Sequence, residues 1–312
     1  MLIVEKALMK PEKLGVALGL LFCFISAAFD VYVAFMTQTF DTKVVIFYCF
    51  TSSAALFWMY CLWGDRYRLV RKIKQDWPLV VWVNVSVLLN WGGLFYALRF
   101  LEPAVVGVAS VACGPALTLL VSSFVKGAGK ANALETLIAG LVLLSVVIML
   151  FQSFIGESGV SSTSIEQRLV GIVSVVLCAL GTVFYTIVSK KMFSCHWKTF
   201  EILAVRNTLM VVVCSLYISI SDASFIIASQ WLLPLTVLVV VGHLLPVYLI
   251  QKTILYLSPM AVAFVLLTLP VFTLLLQYMD SRVEFSIPSI LAVSLIVALL
   301  AWLAISKKRG LT

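Results

Sequence analysis

The sequence predicts an all-α integral membrane protein whose ten transmembrane helices form a five-plus-five inverted repeat. Three observations lead there. The 312 residues are 62% hydrophobic and 12% charged, with a mean hydropathy of +1.12. A soluble domain carries about twice that share of charge, so this chain cannot supply a water-facing surface and is suited to lipid. Its charges cluster, and the runs between clusters have roughly the 20-residue length of a bilayer-spanning helix. Finally, one proline-bounded stretch is written twice, as FLEPAVVGVASVACGP at 100–115 and as YLSPMAVAFVLLTLP at 256–270.

In chain order the apolar runs are 14–37, 44–64, 77–98, 104–125, 136–156, 169–189, 199–219, 231–251, 258–279 and 285–306, with Asp30 inside the first and Arg206 inside the seventh. In hydrocarbon an unpaired backbone amide costs several kcal/mol, so each run is expected to be helical. The runs are too long for barrel strands and lack period-two alternation. The first run follows a basic stretch, as a signal peptide would. It is nevertheless longer than such a segment, contains Asp30 and lacks a small-residue cleavage site, so it is expected to remain as the first span. The expected organisation is an N-terminal tail at 1–13, a first repeat at 14–152, an outer linker at 153–168, a second repeat at 169–306 and a basic tail at 307–312.

Lys and Arg set the expected orientation. With the N-terminus inside, the cytoplasmic segments hold seventeen of them and the outer loops only Lys43, Arg99, Arg168 and Arg282. That bias places both termini in the cytoplasm. The net charge of +8 therefore reads as topology and contact with the lipid bilayer. No aromatic–basic interleaving suggests nucleic acid as a partner. The seven cysteines fall mostly within spans without any CxxC pair, which argues for packing rather than a disulfide framework or a zinc site.

The repeated stretch bridges the third and fourth spans, then the eighth and ninth. Five spans separate the copies, so the second crosses in the opposite sense. Inverted repeats recur in secondary transporters, with the substrate held near the midplane between halves. Pro103 and Pro259 suit the first turn of a helix, where no N–H is needed. The small residues after them favour close helix approach. Pro115 and Pro270 lie within spans, where each removes a hydrogen bond and frees a carbonyl four residues back, so kinks useful for gating are expected there. Pro246 is a third candidate of this kind.

The segments YALRFLEPAVVGVASVACGPALTLLVSSF (96–124) and TILYLSPMAVAFVLLTLPVFTLLLQYM (253–279), together with KANALETLIAGLVLLSVVIML (130–150), resemble the drug/metabolite transporter superfamily, EamA-type. The resemblance implies a ten-helix fold and transport of a small solute. It also implies a bacterial cytoplasmic (inner) membrane location. Members commonly carry an Arg early in the second and seventh helices; here Arg206 matches and Cys49 stands at the other position.

Charged groups near the bilayer centre cost roughly 2.5–3.5 kcal/mol on insertion scales and usually line a cavity. Asp30, with Ser26 and Thr37 on its face, could take a proton or meet a cation. Arg206, beside Asn207, could hold a carboxylate. Equally, the two could neutralise each other. His243 lies three residues before Pro246 and could exchange protons or serve as a neutral structural group. Asn90 and Trp91 lie at depth in the third span, where an amide can orient a ligand and an aromatic wall can hold a cation; Asn84 lies on the same face. Tyr185, Thr182 and Tyr248 complete the candidates for substrate binding. Trp58, Trp63, Trp77 and Trp82 suit an interfacial belt. Arg99 and Glu102 are expected to form an exposed ion pair.

The leading expectation is a secondary transporter of a small polar or amphipathic metabolite such as an amino acid, driven by a proton or solute gradient. No GxxxxGK[ST] occurs, so ATP drive within the chain is unsupported. An intramembrane enzyme would need paired catalytic groups, and HExxH and GxSxG are both absent; no catalytic residue, cofactor or metal is expected. A non-transporting receptor or assembly protein would need soluble regions that this chain lacks. The fifth and tenth spans are expected at the periphery, free to support a homodimer.

Overall fold

A computed structural model describes residues 11–64, 66–111, 133–156, 163–221, 223–277 and 287–308. All regular structure among them is helical. The elements are α1 (Pro11–Thr39), α2 (Thr42–Trp63), α3 (Arg66–Gln75), α4 (Trp77–Phe100), α5 (103–111), α6 (Ala133–Ile155), α7 (Ile165–Ser194), α8 (Thr199–Val205), α9 (Thr208–Ile220), α10 (Ser229–Tyr256), α11 (Pro259–Leu266), α12 (Thr268–Gln277) and α13 (Ile287–Lys308). Among the described residues, seven helices are long and apolar enough to cross a membrane: α1, α2, α4, α6, α7, the α8–α9 pair and α10. The stretches Ala261–Gln277 and Ile290–Leu299 are shorter apolar helices. Most of the expected fourth span, including Pro115, lies outside the described residues.

The outward faces explain the composition. Leu144, Val147, Ile148 and Phe151 on α6, Val173 and Val176 on α7, and Leu291 and Leu295 on α13 are all exposed. In water such a surface would aggregate; against acyl chains it is solvated. Trp63, Trp77 and Trp82 are exposed near helix ends, as interfacial Trp would be.

Four long helices are not regular throughout, and each irregularity has a local cause. In α10 the segment Leu238–Leu244 is π-helical and runs into Pro246; a proline cannot accept the regular pattern on its N-terminal side. In α4 the segment Leu88–Gly92 is also π-helical, and Gly92 and Gly93 relax the backbone there. Between α11 and α12 the chain turns at Leu267, just ahead of Pro270. Between α8 and α9 it breaks at Arg206 and Asn207.

Asn84 of α4 repairs that last break. Its side-chain amide donates to the Val205 carbonyl at 2.8 Å, and its Oδ1 accepts from the Leu209 N–H at 3.0 Å. A freed carbonyl and a freed N–H are thus satisfied inside the protein, as the absence of water requires.

The helix pairing has a regular pattern. α1 packs on α10 and α12, α4 on α7, α2 on α8 and α9, and α6 on α13. Close approaches occur at glycines. A Cβ on Gly15 of α1 would stand 2.9 Å from Leu257 Cγ and from Tyr256 Cβ. One on Gly171 of α7 would stand 2.8 Å from Leu101 Cγ and 3.2 Å from Phe100 Cβ. Gly181 of α7 is tighter still: its Cβ would meet the Asn90 backbone nitrogen at 2.3 Å.

At one end, α3 was not anticipated as a helix. Leu69 is buried, while Arg68 and Lys72 reach Glu201 at 3.1 and 3.4 Å and Trp197 Nε1 donates to Asp76 at 2.8 Å. At the same end, Lys190 Nζ donates to the carbonyls of Ile254 and Leu255 near the C-terminus of α10, where a cation suits the helix dipole. At the other end, Arg99 and Glu102 do not form the expected exposed ion pair. Arg99 donates to Thr42 Oγ1 at 2.9 Å. Glu102 is buried and accepts from Gln277 Nε2, while Gln277 Oε1 accepts from the Ala104 N–H at 3.0 Å. The amide of α12 can reach the hairpin before α5, and this interaction replaces the local pair.

Candidate functional site

A cavity of about 70 Å³ lies among α1, α4, α5, α7, α10, α11 and α12. That is smaller than the range of about 300–1,000 Å³ typical of sites for drug-sized ligands. Its apolar wall includes Phe22, Phe29, Trp91, Leu94 and Leu269. Its polar groups are Ser26 and Asp30 from α1, Asn90 from the π-helical turn of α4, Ser110 from α5, and Thr182, Tyr185 and Thr186 from α7.

Helical spacing places these groups. Ser26 and Asp30 are one turn apart on α1, as are Thr182 and Thr186 on α7, so each pair shares a face. Thr182 and Thr186 also bond the carbonyl one turn back, at 2.9 Å each, which keeps their own hydroxyls satisfied. Asn90 Oδ1 accepts from Thr182 Oγ1 at 3.2 Å and from Cys178 Sγ at 3.5 Å. The missing Cβ of Gly181 is what lets the Asn90 turn sit this close to α7.

Asp30 differs from its neighbours. It is only 2% exposed, lines the cavity, and has neither a hydrogen bond nor an ion pair among the described residues. Ser26 Oγ likewise has no partner there. Asp30 is the sole carboxyl group on the wall among the described residues.

Arg206 is fully buried on the far side of Tyr185. Its Nη1 donates to the Tyr185 hydroxyl, which in turn donates to Gln251 Oε1. Its Nε donates to Asn207 Oδ1 at 3.2 Å, and Asn207 Nδ2 donates to Ser53 Oγ at 2.9 Å. The guanidinium also lies over the Tyr185 ring, 4.9 Å from its centroid. Arg206 Nη2 and Gln251 Nε2 have no partner among the described residues. Arg206 and Asp30 therefore do not neutralise each other; a tyrosine stands on the path between them.

His243 is fully buried at the π-helical turn of α10, with its ring 5.0 Å from Trp91 and 4.5 Å from Phe50. Neither ring nitrogen has a hydrogen-bond partner among the described residues. Of the sequence-predicted residues, Asp30, Asn90, Trp91 and Tyr185 meet on the cavity wall. Arg206 contacts the wall through Tyr185, and His243 through Trp91. Tyr248 is elsewhere, stacked on Phe200 at 5.6 Å with Lys252 over its ring. Pro246 and Pro270 flank irregular helix segments rather than facing the cavity. Sequence reasoning missed Ser110, Thr186 and Gln251; the i+4 step from Thr182 would have found Thr186. Among the described residues no cluster of His, Cys, Asp or Glu could hold a metal ion, and six free cysteines form no disulfide.

Fold and site together define a class: an all-α chain of membrane-spanning character with a small, mostly apolar cavity that carries a few polar groups. A solved structure described as "Crystal structure of protein" matches over 94% of this chain and 99% of its own length, with a TM-score of 0.60 and 19% sequence identity. At that identity the likeness concerns the fold alone. No family model and no curated protein matches the chain.

Proposed function

We propose that the protein is a secondary transporter of a small amphipathic metabolite, working by alternating access, in the manner of the drug/metabolite transporter superfamily that its sequence resembles. The observation that carries this reading is the cavity. It is bounded by helices from both halves of the chain, and a buried, unpartnered carboxylate sits on its wall. Such a group is expensive in a membrane and is retained at a cost that ligand or proton binding offsets.

The ten-span inverted repeat belongs to the same reading. Gly171 follows Gly15 along the chain by the same number of positions as Leu257 follows Leu101 and Tyr256 follows Phe100. The two glycine contacts are thus one contact made twice, with the halves exchanging roles. The pairing of α1 with α10 answers that of α4 with α7, and a π-helical turn occurs in both α4 and α10. Equivalent halves around a shared cavity are what alternating access needs. Ten spans with both ends cytoplasmic, in an inner membrane, complete the picture. The apolar outer faces of α6 and α13, packed together at the edge, suit a homodimer.

The test is solute flux into proteoliposomes under imposed pH and solute gradients. Saturable flux above that of protein-free vesicles supports the reading. Flux equal to empty vesicles for a broad panel of amino acids, amines and organic acids, under either gradient, removes it.

A further inference from the structure

A second cavity, of about 490 Å³, opens at the end of the molecule where α3 packs. That volume falls within the range of about 300–1,000 Å³ typical of ligand sites. Its wall comes from the last turn of α2, from α3 and from the residues around the start of α8, and includes Tyr60, Trp63, Arg68, Lys198, Phe200 and Glu201. It shares no lining residue with the central cavity.

Hydrogen bonding on this wall is one-sided. Glu201 is its sole carboxylate among the described residues, and both of its oxygens are engaged. Oε1 meets Arg68 Nε at 3.1 Å; Oε2 meets Lys72 Nζ at 3.4 Å and accepts from the Lys198 backbone N–H at 2.7 Å. The donors are not matched in this way. Lys198 Nζ, the Tyr60 hydroxyl and Trp63 Nε1 have neither a hydrogen bond nor an ion pair among the described residues. Arg68 and Lys198 outnumber Glu201 on the wall, and Lys72 adds a further positive charge beside it. The sequence of α3, RYRLVRKIKQ, holds five basic residues and no acidic one. The wall thus lacks an acceptor, and its charge favours an anionic one. A phosphate offers charged acceptor oxygens to several such donors at once.

The neighbouring surface indicates where that phosphate comes from. Leu56, Met59, Tyr60 and Trp63 follow i, i+3, i+4, i+7 spacing along one face of α2, and all four are exposed. In a bilayer this face meets acyl chains, and it runs into the cavity, where Tyr60 and Trp63 are part of the wall. Trp and Tyr mark headgroup depth in membrane proteins. Tyr60 and Phe200 pack with ring centroids 4.3 Å apart and form the apolar side. A phosphate bound here stands at headgroup level with an apolar track beneath it. Basic clusters beside a spanning helix attract anionic lipid; this cluster also encloses a cavity.

We infer that the cavity between α2, α3 and α8 is a specific site for an anionic phospholipid. Lys198, Tyr60 and Trp63 hold its phosphate diester, and its acyl chains lie along the Leu56–Trp63 face of α2. The site does not depend on the transporter reading.

The experiment is native mass spectrometry of the delipidated full chain in detergent, titrated with phosphatidylglycerol or with phosphatidylcholine of the same acyl chains. Both carry a phosphate diester, and they differ in net charge. One phosphatidylglycerol per chain is expected to bind at least fivefold more tightly than phosphatidylcholine. Lys198→Gln should weaken it at least fivefold, and so should the double variant Tyr60→Phe, Trp63→Phe, which keeps both rings and removes two donors. Lys74→Gln, at an exposed lysine of α3 outside the cavity, should change it less than twofold. Thermal melts identify the folded variants. Equal binding of the two lipids overturns the inference, as does undiminished binding by either folded variant. An equal loss from Lys74→Gln, which would mean general charge attraction, overturns it too. Displacement of phosphatidylglycerol by excess inorganic phosphate would make a soluble phosphate the occupant and remove the lipid assignment.

Discussion

Asn84 does for the break at Arg206 and Asn207 what helix geometry does elsewhere: it gives a carbonyl and an N–H their partners. Both of its hydrogen bonds to α8 and α9 are buried or partly buried. The Val205 carbonyl also accepts from Thr208 Oγ1 at 3.2 Å, but the Leu209 N–H depends on Asn84, and leaving such a group unsatisfied costs about 1–3 kcal/mol. Asn84→Leu, which removes both bonds without opening a large cavity, should lower the melting temperature of the detergent-solubilised protein, whereas Asn207→Leu should also unseat the Arg206 side chain. An unchanged melt for Asn84→Leu would mean the break is satisfied in another way. Residues of this kind also mark what a sequence can show. Asp30 and Arg206 are legible because a charge within an apolar run is costly and therefore meaningful. That they ignore each other is not legible: it depends on Tyr185, whose position is set by the packing of α7. Gln251 escaped notice because, next to Lys252, it reads as the end of a span rather than as part of a core.

At the scale of helices, irregularity is concentrated where the cavity is. The π-helical turn of α4 carries Asn90 and Trp91, and that of α10 carries His243; π-turns recur at functional sites. Prolines made one such place readable, since Pro246 follows the turn in α10. The turn in α4 has no proline, and only Gly92 and Gly93 hinted at it. Close packing supports it from outside. A Cβ on Gly181 would strike the Asn90 backbone, whereas one on Gly140 of α6 would meet nothing within 4 Å. Gly181→Ala should therefore destabilise the protein by about 1–3 kcal/mol, as overpacking against a rigid neighbour does, and Gly140→Ala should change stability by less than about 0.5 kcal/mol. Thermal melts of the two single variants, run side by side, check both. Equal effects would mean that α4 and α7 are free to part.

For the molecule as a whole, the all-helical character and the membrane-spanning lengths were evident from composition and from the spacing of charge, because both follow from the solvent. The tertiary arrangement was not. The repeated proline stretch suggested two related halves, but the matching contacts at Gly15 and Gly171, which support the proposed repeat, involve residues whose small size only becomes significant once a partner helix is placed beside them. If the halves are equivalent folding units, the chain should tolerate a cut in the segment between α6 and α7. Co-expressed pieces covering 1–156 and 163–312 should then associate and elute together on size-exclusion chromatography, because α1–α10, α4–α7 and α2–α9 contacts all cross the cut. Pieces that are each stable but never associate would show that covalent continuity is required.

Phe29 has a position whose meaning extends beyond the cavity. Its ring faces the cavity on one side and, on the other, a lipid-facing groove between α1 and α10 lined by Phe24, Ala28, Tyr32 and Val241. The ring fits there because Gly242 has no side chain: a Cβ would be 2.2 Å from Phe29 Cδ2. That one ring is thus the partition between the interior and the acyl chains, and the bare α-carbon of Gly242 is what holds it there.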